Sequence, residues 1–322
     1  MTRGPVGRKR ATLKELAQLT GLSPSGVHYA LRGERVSAST AERVQAEADR
    51  IGFRSDPIAR ALRGGSTGLV GVIGGSLHDY WHQQFAAELG SLLAASGRHM
   101  LLAYADGRSD VQLELAEGMV DQRVDGLVVL PVDPGSERWT AVVGSVPTVA
   151  VGPPLPGPAA GIRFAVDRGM RMMLDHLAAF GHRRVLVLTP GVHPVQRRAG
   201  VTAAECGFTS AGAAAAVRDA LTGRGRPTAV FGLSDALAYG ALAACRDLGV
   251  YVPGGVSVAG FDDHPLSALV EPGLTTVSWD TPAAAAAAAE LLLGGSGRRQ
   301  VVMAPVLVAR GSTGAAPVRG LR

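Results

Sequence analysis

From Leu69 onward the sequence alternates short apolar, β-rich runs with longer helical stretches, and few folds accommodate that order. Strands are expected at 69–73 (LVGVI), 99–104 (HMLLAY), 124–130 (VDGLVVL), 147–151 (PTVAV), 184–188 (RVLVL), 228–232 (TAVFG) and 256–260 (VSVAG). Helices are expected between them at 82–95, 110–122, 168–180, 211–222 and 235–248. Alternation of this kind implies parallel sheets with helices on both faces. The number of strands predicts two lobes. A ligand of such a domain binds in the cleft at the carboxyl ends of the strands.

The first fifty-odd residues follow different rules. Thr12 and Glu15 form a capping box that starts a helix, with Leu13, Leu16 and Ala17 on one face, and Gly21 breaks it. Ser23 can cap a second helix whose first turn holds Pro24, and Val27, Ala30 and Leu31 would be buried. Gly33 ends it. Ser37 can cap a third helix that turns Ala41, Val44, Ala48 and Ile51 inward, with Gly52 as its stop. Two short helices around a glycine-containing turn make a helix-turn-helix pattern, although a plain three-helix bundle fits the same residues.

The charge is placed unevenly. Residues 1–68 carry 12 Lys+Arg against 6 Asp+Glu, while residues 69–322 are nearly balanced, with 20 against 21. A basic head on a neutral body points to a polyanionic partner for the head. In the DNA-binding reading the second helix enters the major groove. Pro24, Ser25, His28 and Tyr29 then face the bases, and Lys9, Arg10, Lys14, Arg32 and Arg35 are the candidates for phosphate contact.

The stretch FRSDPIARALRGGSTG follows Gly52. Asp56 and Pro57 can open a short helix carrying Ile58, Ala59 and Leu62 with Arg60 and Arg63, and Gly64 and Gly65 close it. It is too short to be stable alone. An Arg-bearing helix with one exposed leucine suits the minor groove, where an apolar wedge unstacks a base step. An ordinary linker is the plainer alternative. The expected organisation is a helix-turn-helix domain over 1–54, a hinge helix and linker over 55–68, and a two-lobed domain over 69–322.

Several classes are disfavoured. Cys206 and Cys245 give no disulfide framework and no metal spacing. No apolar segment follows the basic start, and the alanine-rich run Ala283–Leu293 is too short to span a bilayer, so a cytoplasmic protein without membrane contact is expected. GVIGGS lacks the G-x-G-x-x-G spacing, and no P-loop, G-x-S-x-G or H-E-x-x-H occurs. Neither an enzyme nor a cofactor is expected. Asp262, Asp263 and His264 are adjacent, but a turn or ligand clasp explains them better than a metal. A sugar kinase with a DNA-binding head fails on the missing phosphate loop. A secreted solute-binding protein fails on the missing leader and the extra N-terminal domain.

In order along the chain, ATLKELAQLTGLS, VSASTAERVQAEADRIGFRSDPIARALRGGSTGLVGV, VDGLVVLP, GHRRVLVL, RRAG, SDALAYGAL, VPGGVSVAGFDD, PGLTTV and LVARGST resemble the lactose/galactose repressor (LacI/GalR) family. The resemblance covers almost the whole chain. It implies a small all-α helix-turn-helix domain plus an α/β two-lobed, periplasmic-binding-protein-like domain. It further implies a homodimer on a pseudo-palindromic double-stranded DNA operator, with Leu62 as the minor-groove wedge. A small effector of sugar or nucleoside type would shift DNA affinity, usually in a repressor. The implied effector contacts are Ser76, Trp81, His82, Arg197, Phe208, Ser234 and Asp262.

Three departures stand out. Gly26, His28 and Tyr29 replace the family's usual Thr, Ser and Arg, which alters base reading. Ser76 and Asp79 change two polar contacts, so the effector is atypical or its site vestigial; a vestigial site would leave a constitutive or protein-controlled regulator. The segment Gly200–Phe208 is shortened, as though a helix after RRAG were cut back.

Overall fold

The computed structural model describes residues 11–31, 33–53, 66–76, 79–191, 198–207, 209–294 and 299–317. It divides into two compact units, Met1–Thr67 and Gly68–Arg322.

The first unit holds three helices: α1 (Leu13–Thr20), α2 (Pro24–Leu31) and α3 (Ala38–Ile51). Their ends follow the local chemistry. Thr12 and Glu15 close the capping box in both directions, and Gly21 ends α1 in the left-handed region, where a side chain would be strained. Ser23 Oγ accepts from Gly26 N–H at 3.1 Å at the start of α2. Ser37 caps α3 through Thr40 N–H, and Gly52 ends it at φ 66°. Leu16, Ala17, Val27, Ala30, Val44 and Ala48 are the buried core, with Leu13, Leu22, Leu31, Val36, Ile51 and Phe53 packed around them.

The second unit contains two parallel sheets. The first is ordered β11-β5-β4-β3-β1-β2, from β1 (Leu69–Gly74), β2 (His99–Tyr104), β3 (Gly126–Val129), β4 (Thr148–Val151), β5 (Ala160–Phe164) and β11 (Gln300–Met303). All its pairings are parallel. The second is ordered β7-β6-β8-β9, from β6 (Val185–Thr189), β7 (Val201–Glu205), β8 (Ala229–Gly232) and β9 (Ser257–Ala259), again parallel. The two-lobed α/β architecture is therefore as expected. Helices α4 (Tyr80–Ala95), α5 (Ser109–Asp121), α6 (Trp139–Ser145), α7 (Val166–Ala179), α8 (Ser210–Thr222), α9 (Asp235–Asp247) and α10 (Thr281–Leu293) cover the sheets. No described helix is long and apolar enough to cross a membrane.

The chain passes between the lobes more than once. After β9 and β10 (Thr276–Ser278), α10 packs against α4 of the first lobe. β11 then adds to the first sheet, and β12 (Val306–Val308) pairs antiparallel with β10. These crossings place Trp279 and Thr281 beside residues of β5 and α4 that are far away in sequence.

β5, β7, β10, β11 and β12 and helices α6 and α10 were not expected from the sequence pattern. AGIRF, VTAAE and TVS are too short or too mixed to show a period. β6 and β7 are parallel neighbours joined by residues 190–200, a span shorter than the usual helical crossover. β7 is an edge strand with Thr202, Ala203 and Glu205 exposed.

Candidate functional site

A cavity of about 480 Å³ opens between the lobes at the carboxyl ends of the strands. Its walls combine residues after β1 and β3–β5 with residues after β6, β8 and β9, including Ser76, Trp81, His82, Phe164, Leu233 and Asp262. Asp79 and Trp279 line it as well.

Asp79 caps α4. Its Oδ1 accepts from the N–H groups of Trp81 at 2.9 Å and His82 at 3.3 Å. That cap fixes the first turn, which carries both rings into the cleft. His82 Nδ1 lies 3.3 Å from the carbonyl oxygen of Ser76. A carbonyl can only accept, so this contact places the ring N–H at Nδ1, while Nε2 lies 3.9 Å from Asp79 Oδ2. Trp81 is 8% exposed, stacks on Phe85 at 5.2 Å and donates from Nε1 to Thr281 Oγ1 at 3.0 Å. It is thus part core and part wall.

The aromatic wall continues across the lobes. Trp81 meets Phe164 edge to face at 4.9 Å, Phe164 meets Trp279 at 5.1 Å, and Trp279 meets Phe261 at 5.5 Å. Such pairs stabilise by about 0.5–1.5 kcal/mol beyond burial and present ring faces to a ligand.

Asp262 is the acid of the second lobe. Trp279 Nε1 donates to its Oδ1 at 3.2 Å. Burial, followed by the charges of Asp79 and Asp235, pushes its carboxyl well above the usual carboxylate range, and the Trp279 bond opposes this. Its backbone sits at φ 99°, unusual for a side chain other than glycine, and Asp262 N–H donates to the Val277 carbonyl at 2.7 Å to hold it there. Asp263 instead pairs with Arg310 at 2.7 Å, and His264 Nδ1 accepts from Leu266 N–H at 3.2 Å. The three adjacent residues therefore face different partners.

Behind Asp262 lies Asp235, 1% exposed. It accepts from Ser267 Oγ at 2.5 Å, Thr276 Oγ1 at 2.6 Å and His264 N–H at 2.7 Å. Burial raises its carboxyl to about 6 against these three bonds. A Cβ on Gly260 would collide with this carboxylate, which explains the glycine in AGFDD. Asp235 thus ties the start of α9 to the segment that aims Asp262.

On the helical unit, Lys14, Pro24 and Ser25 are exposed, and His28 and Tyr29 are half-buried. Arg35 Nη1 donates to Tyr29 Oη at 3.2 Å, and its guanidinium lies 5.0 Å from the ring centroid. The His28 ring meets Tyr29 edge-on at 6.1 Å. Arg35 therefore fixes the Tyr29 ring, a role that charge alone did not reveal.

The chain is 34% identical over 340 residues to the HTH-type transcriptional regulator reg1 of Streptomyces lividans, covering 95% of this chain and 97% of that protein. The chain belongs to the LacI/GalR family of transcriptional regulators. Residues 174–313 match a periplasmic binding protein-like domain. This LacI/GalR regulator is also 27% identical to the lactose operon repressor of Escherichia coli strain K12, over 84% of this chain and 81% of that one. A crystal structure of the lac repressor dimer bound to operator and the anti-inducer ONPF shares its fold, with a TM-score of 0.81, 24% identity, and coverage of 95% of this chain and 100% of that chain. Membership in a family of regulators fits the missing enzyme signatures.

Of the sequence-derived effector residues, Ser76, Trp81, His82 and Asp262 come together in the cavity of this LacI/GalR regulator. Ser234 lines the small adjoining pocket instead, with Asp79, Trp81 and Asp262, and its hydroxyl accepts from Leu237 N–H at 3.3 Å to cap α9. Arg197 and Phe208, with Lys9, Arg10, Arg32, Arg60, Leu62 and Arg63 on the DNA side, lie outside the described residues. Phe164 and Trp279 were missed. Nothing local marks them, because each is an isolated aromatic at a strand end.

Tyr29→Ala is expected to change the preferred operator sequence, since a good base contact discriminates by about 1–3 kcal/mol. Repeating a duplex selection with the variant checks this. An unchanged preference would place base reading on other residues.

Proposed function

We propose that this LacI/GalR regulator is a repressor whose operator binding is modulated by a small effector of sugar or nucleoside type, bound in the interlobe cleft. One observation carries the reading: ring faces and an acid from both lobes meet in one cavity at the strand ends. Asp262 would accept from ligand hydroxyls, and Trp81 and His82 would form the first-lobe wall. Lys14, Pro24, Ser25, His28 and Tyr29 would read or hold the major groove. Residues 55–68 would act as the hinge, with Leu62 in the minor groove. An effector shifts the equilibrium only by its differential affinity for the DNA-bound and released states.

The protein would act in the cytoplasm as a homodimer on a pseudo-palindromic operator. Leu269 and Tyr251 are 78% and 76% exposed on the second lobe. Val270 lines one groove together with Tyr251. Leu269 is the chain neighbour of Val270, and large exposed apolar side chains favour association. Leu269→Arg is expected to convert dimer to monomer in sedimentation equilibrium, and an unaltered dimer would move the interface elsewhere.

The test of the function is selection of bound sequences from a random duplex library, followed by a search for metabolites that release the selected site. A pseudo-palindrome released by a polyol supports the reading. An operator that no metabolite releases or tightens would leave a DNA-binding regulator without effector control.

A further inference from the structure

The first lobe presents two unlike surfaces to the cleft. Its polar groups come from the turn after β1 and the first turn of α4, with Ser76, Asp79 and His82. The ends of β3, β4 and β5 supply the other surface, with Leu130, Pro131, Val132, Val151, Pro153 and Phe164. These three strands are neighbours in the sheet, so their ends form one continuous wall. It spans two strand spacings, roughly 10 Å. Every lining side chain that these ends contribute is apolar.

The backbone of this wall is closed as well. Gln112, fully buried on α5, donates from Nε2 to the Leu130 carbonyl at 2.8 Å and accepts at Oε1 from Val132 N–H at 2.8 Å. Leu130 N–H donates to the Ile73 carbonyl at 2.9 Å, and Gly152 N–H to the Ile162 carbonyl at 2.7 Å. Pro131 and Pro153 have no N–H. From Leu130 to Val132, and at Gly152 and Pro153, no N–H remains for a ligand. All of these groups are among the described residues. A sugar hydroxyl laid on this wall would give up water and find neither a side-chain partner nor an N–H, which weakens binding. An aromatic ring would bury apolar surface against leucine, valine and proline and meet the Phe164 ring. The cavity, about 480 Å³, is of the size that holds drug-sized ligands.

We propose that the effector is a glycoside with an aromatic aglycone, its sugar held by the polar groups of the cleft and its aglycone lying on the apolar wall of β3, β4 and β5. This rests on the reading of the cleft as the effector site. The sugar hydroxyls meet Ser76, His82 and Asp262, whose carboxyl bonds a hydroxyl as donor or as acceptor. Trp279, bonded to Asp262, flanks the sugar ring. Val132, half-buried beyond the end of β3, lies under the aglycone.

The test uses the full-length protein. Phenyl β-D-glucoside, phenyl α-D-glucoside and phenyl β-D-galactoside are each titrated calorimetrically against the methyl glycoside of the same sugar and anomer. At least one phenyl glycoside is expected to bind about tenfold or more tighter than its methyl partner. Val132→Asn puts an amide on the wall and should cut that ratio about threefold or more. Val132→Thr, of nearly the same shape, repeats the test with a single hydroxyl if the amide prevents folding. Ratios near one in every pair overturn the aromatic aglycone and leave a sugar-binding cleft. A preference that survives both Val132 substitutions, in protein that still melts cooperatively, overturns the assignment of the wall. Silence from every glycoside overturns the proposal; release of the selected operator by another metabolite would then show that the effector reading holds without it.

Discussion

Leu16→Ala is expected to abolish operator binding while leaving the thermal transition of the sensor domain in place. Leu16 is fully buried in the helical unit, where six residues form the core. A buried Leu→Ala change costs about 2–5 kcal/mol. A unit of roughly forty ordered residues has about 2–6 kcal/mol in total at typical stability per residue. The loss therefore matches the whole reserve. Gel shift with the selected operator and a calorimetric scan check the two halves separately. Retained operator binding would mean that DNA or the partner subunit supplies the missing stability.

The second large effect is a dependence of sensor stability on pH. Asp235 has a carboxyl raised from 3.8 to about 6, with burial as the first cause. The folded state thus holds this proton more tightly than the unfolded chain does. Its contribution is fully present below about pH 4 and is lost as pH rises through about 6, a change of about 3 kcal/mol. Asp235→Asn removes the titration. An amide oxygen can still accept from His264 N–H, and the Ser267 and Thr276 hydroxyls can rotate to suit the amide. Urea unfolding of both proteins at pH 4 to 7 should show the wild type losing about 2.4 kcal/mol relative to Asp235→Asn over that range. Parallel profiles would show that Asp235 is not the titrating group.

The Asp235 and Asp262 pair also shows why a motif needs its surroundings. In the sequence, GFDD and the SDA at the start of α9 are separate strings. In the fold, Asp235 secures the segment that turns Asp262 into the cleft, and Arg310 draws Asp263 away from it. Of these two adjacent aspartates only Asp262 lines the cleft, although both have the same side chain. Ser234 shows the reverse case. The family resemblance assigns it to the effector, and in the fold its hydroxyl caps α9 while the residue lines the small pocket beside the cleft with Asp79 and Asp262.

The sequence by itself determined the elements whose causes are local. The capping residues Thr12, Ser23 and Ser37 and the stops Gly21 and Gly52 act within a few residues of themselves, so α1 to α3 could be read directly. The long β-rich runs identified β1 to β4, β6, β8 and β9, because strands buried on both faces need continuous apolar character. The tertiary structure decided what depends on the chain returning. β11 joins a sheet begun at Leu69, and Trp279 reaches Phe164 and Asp262 only because the chain recrosses between the lobes. Contacts between distant residues leave no period and no spacing in the sequence. They are set by packing and by the pairing of strand edges, and so the walls of the cleft became visible only in three dimensions.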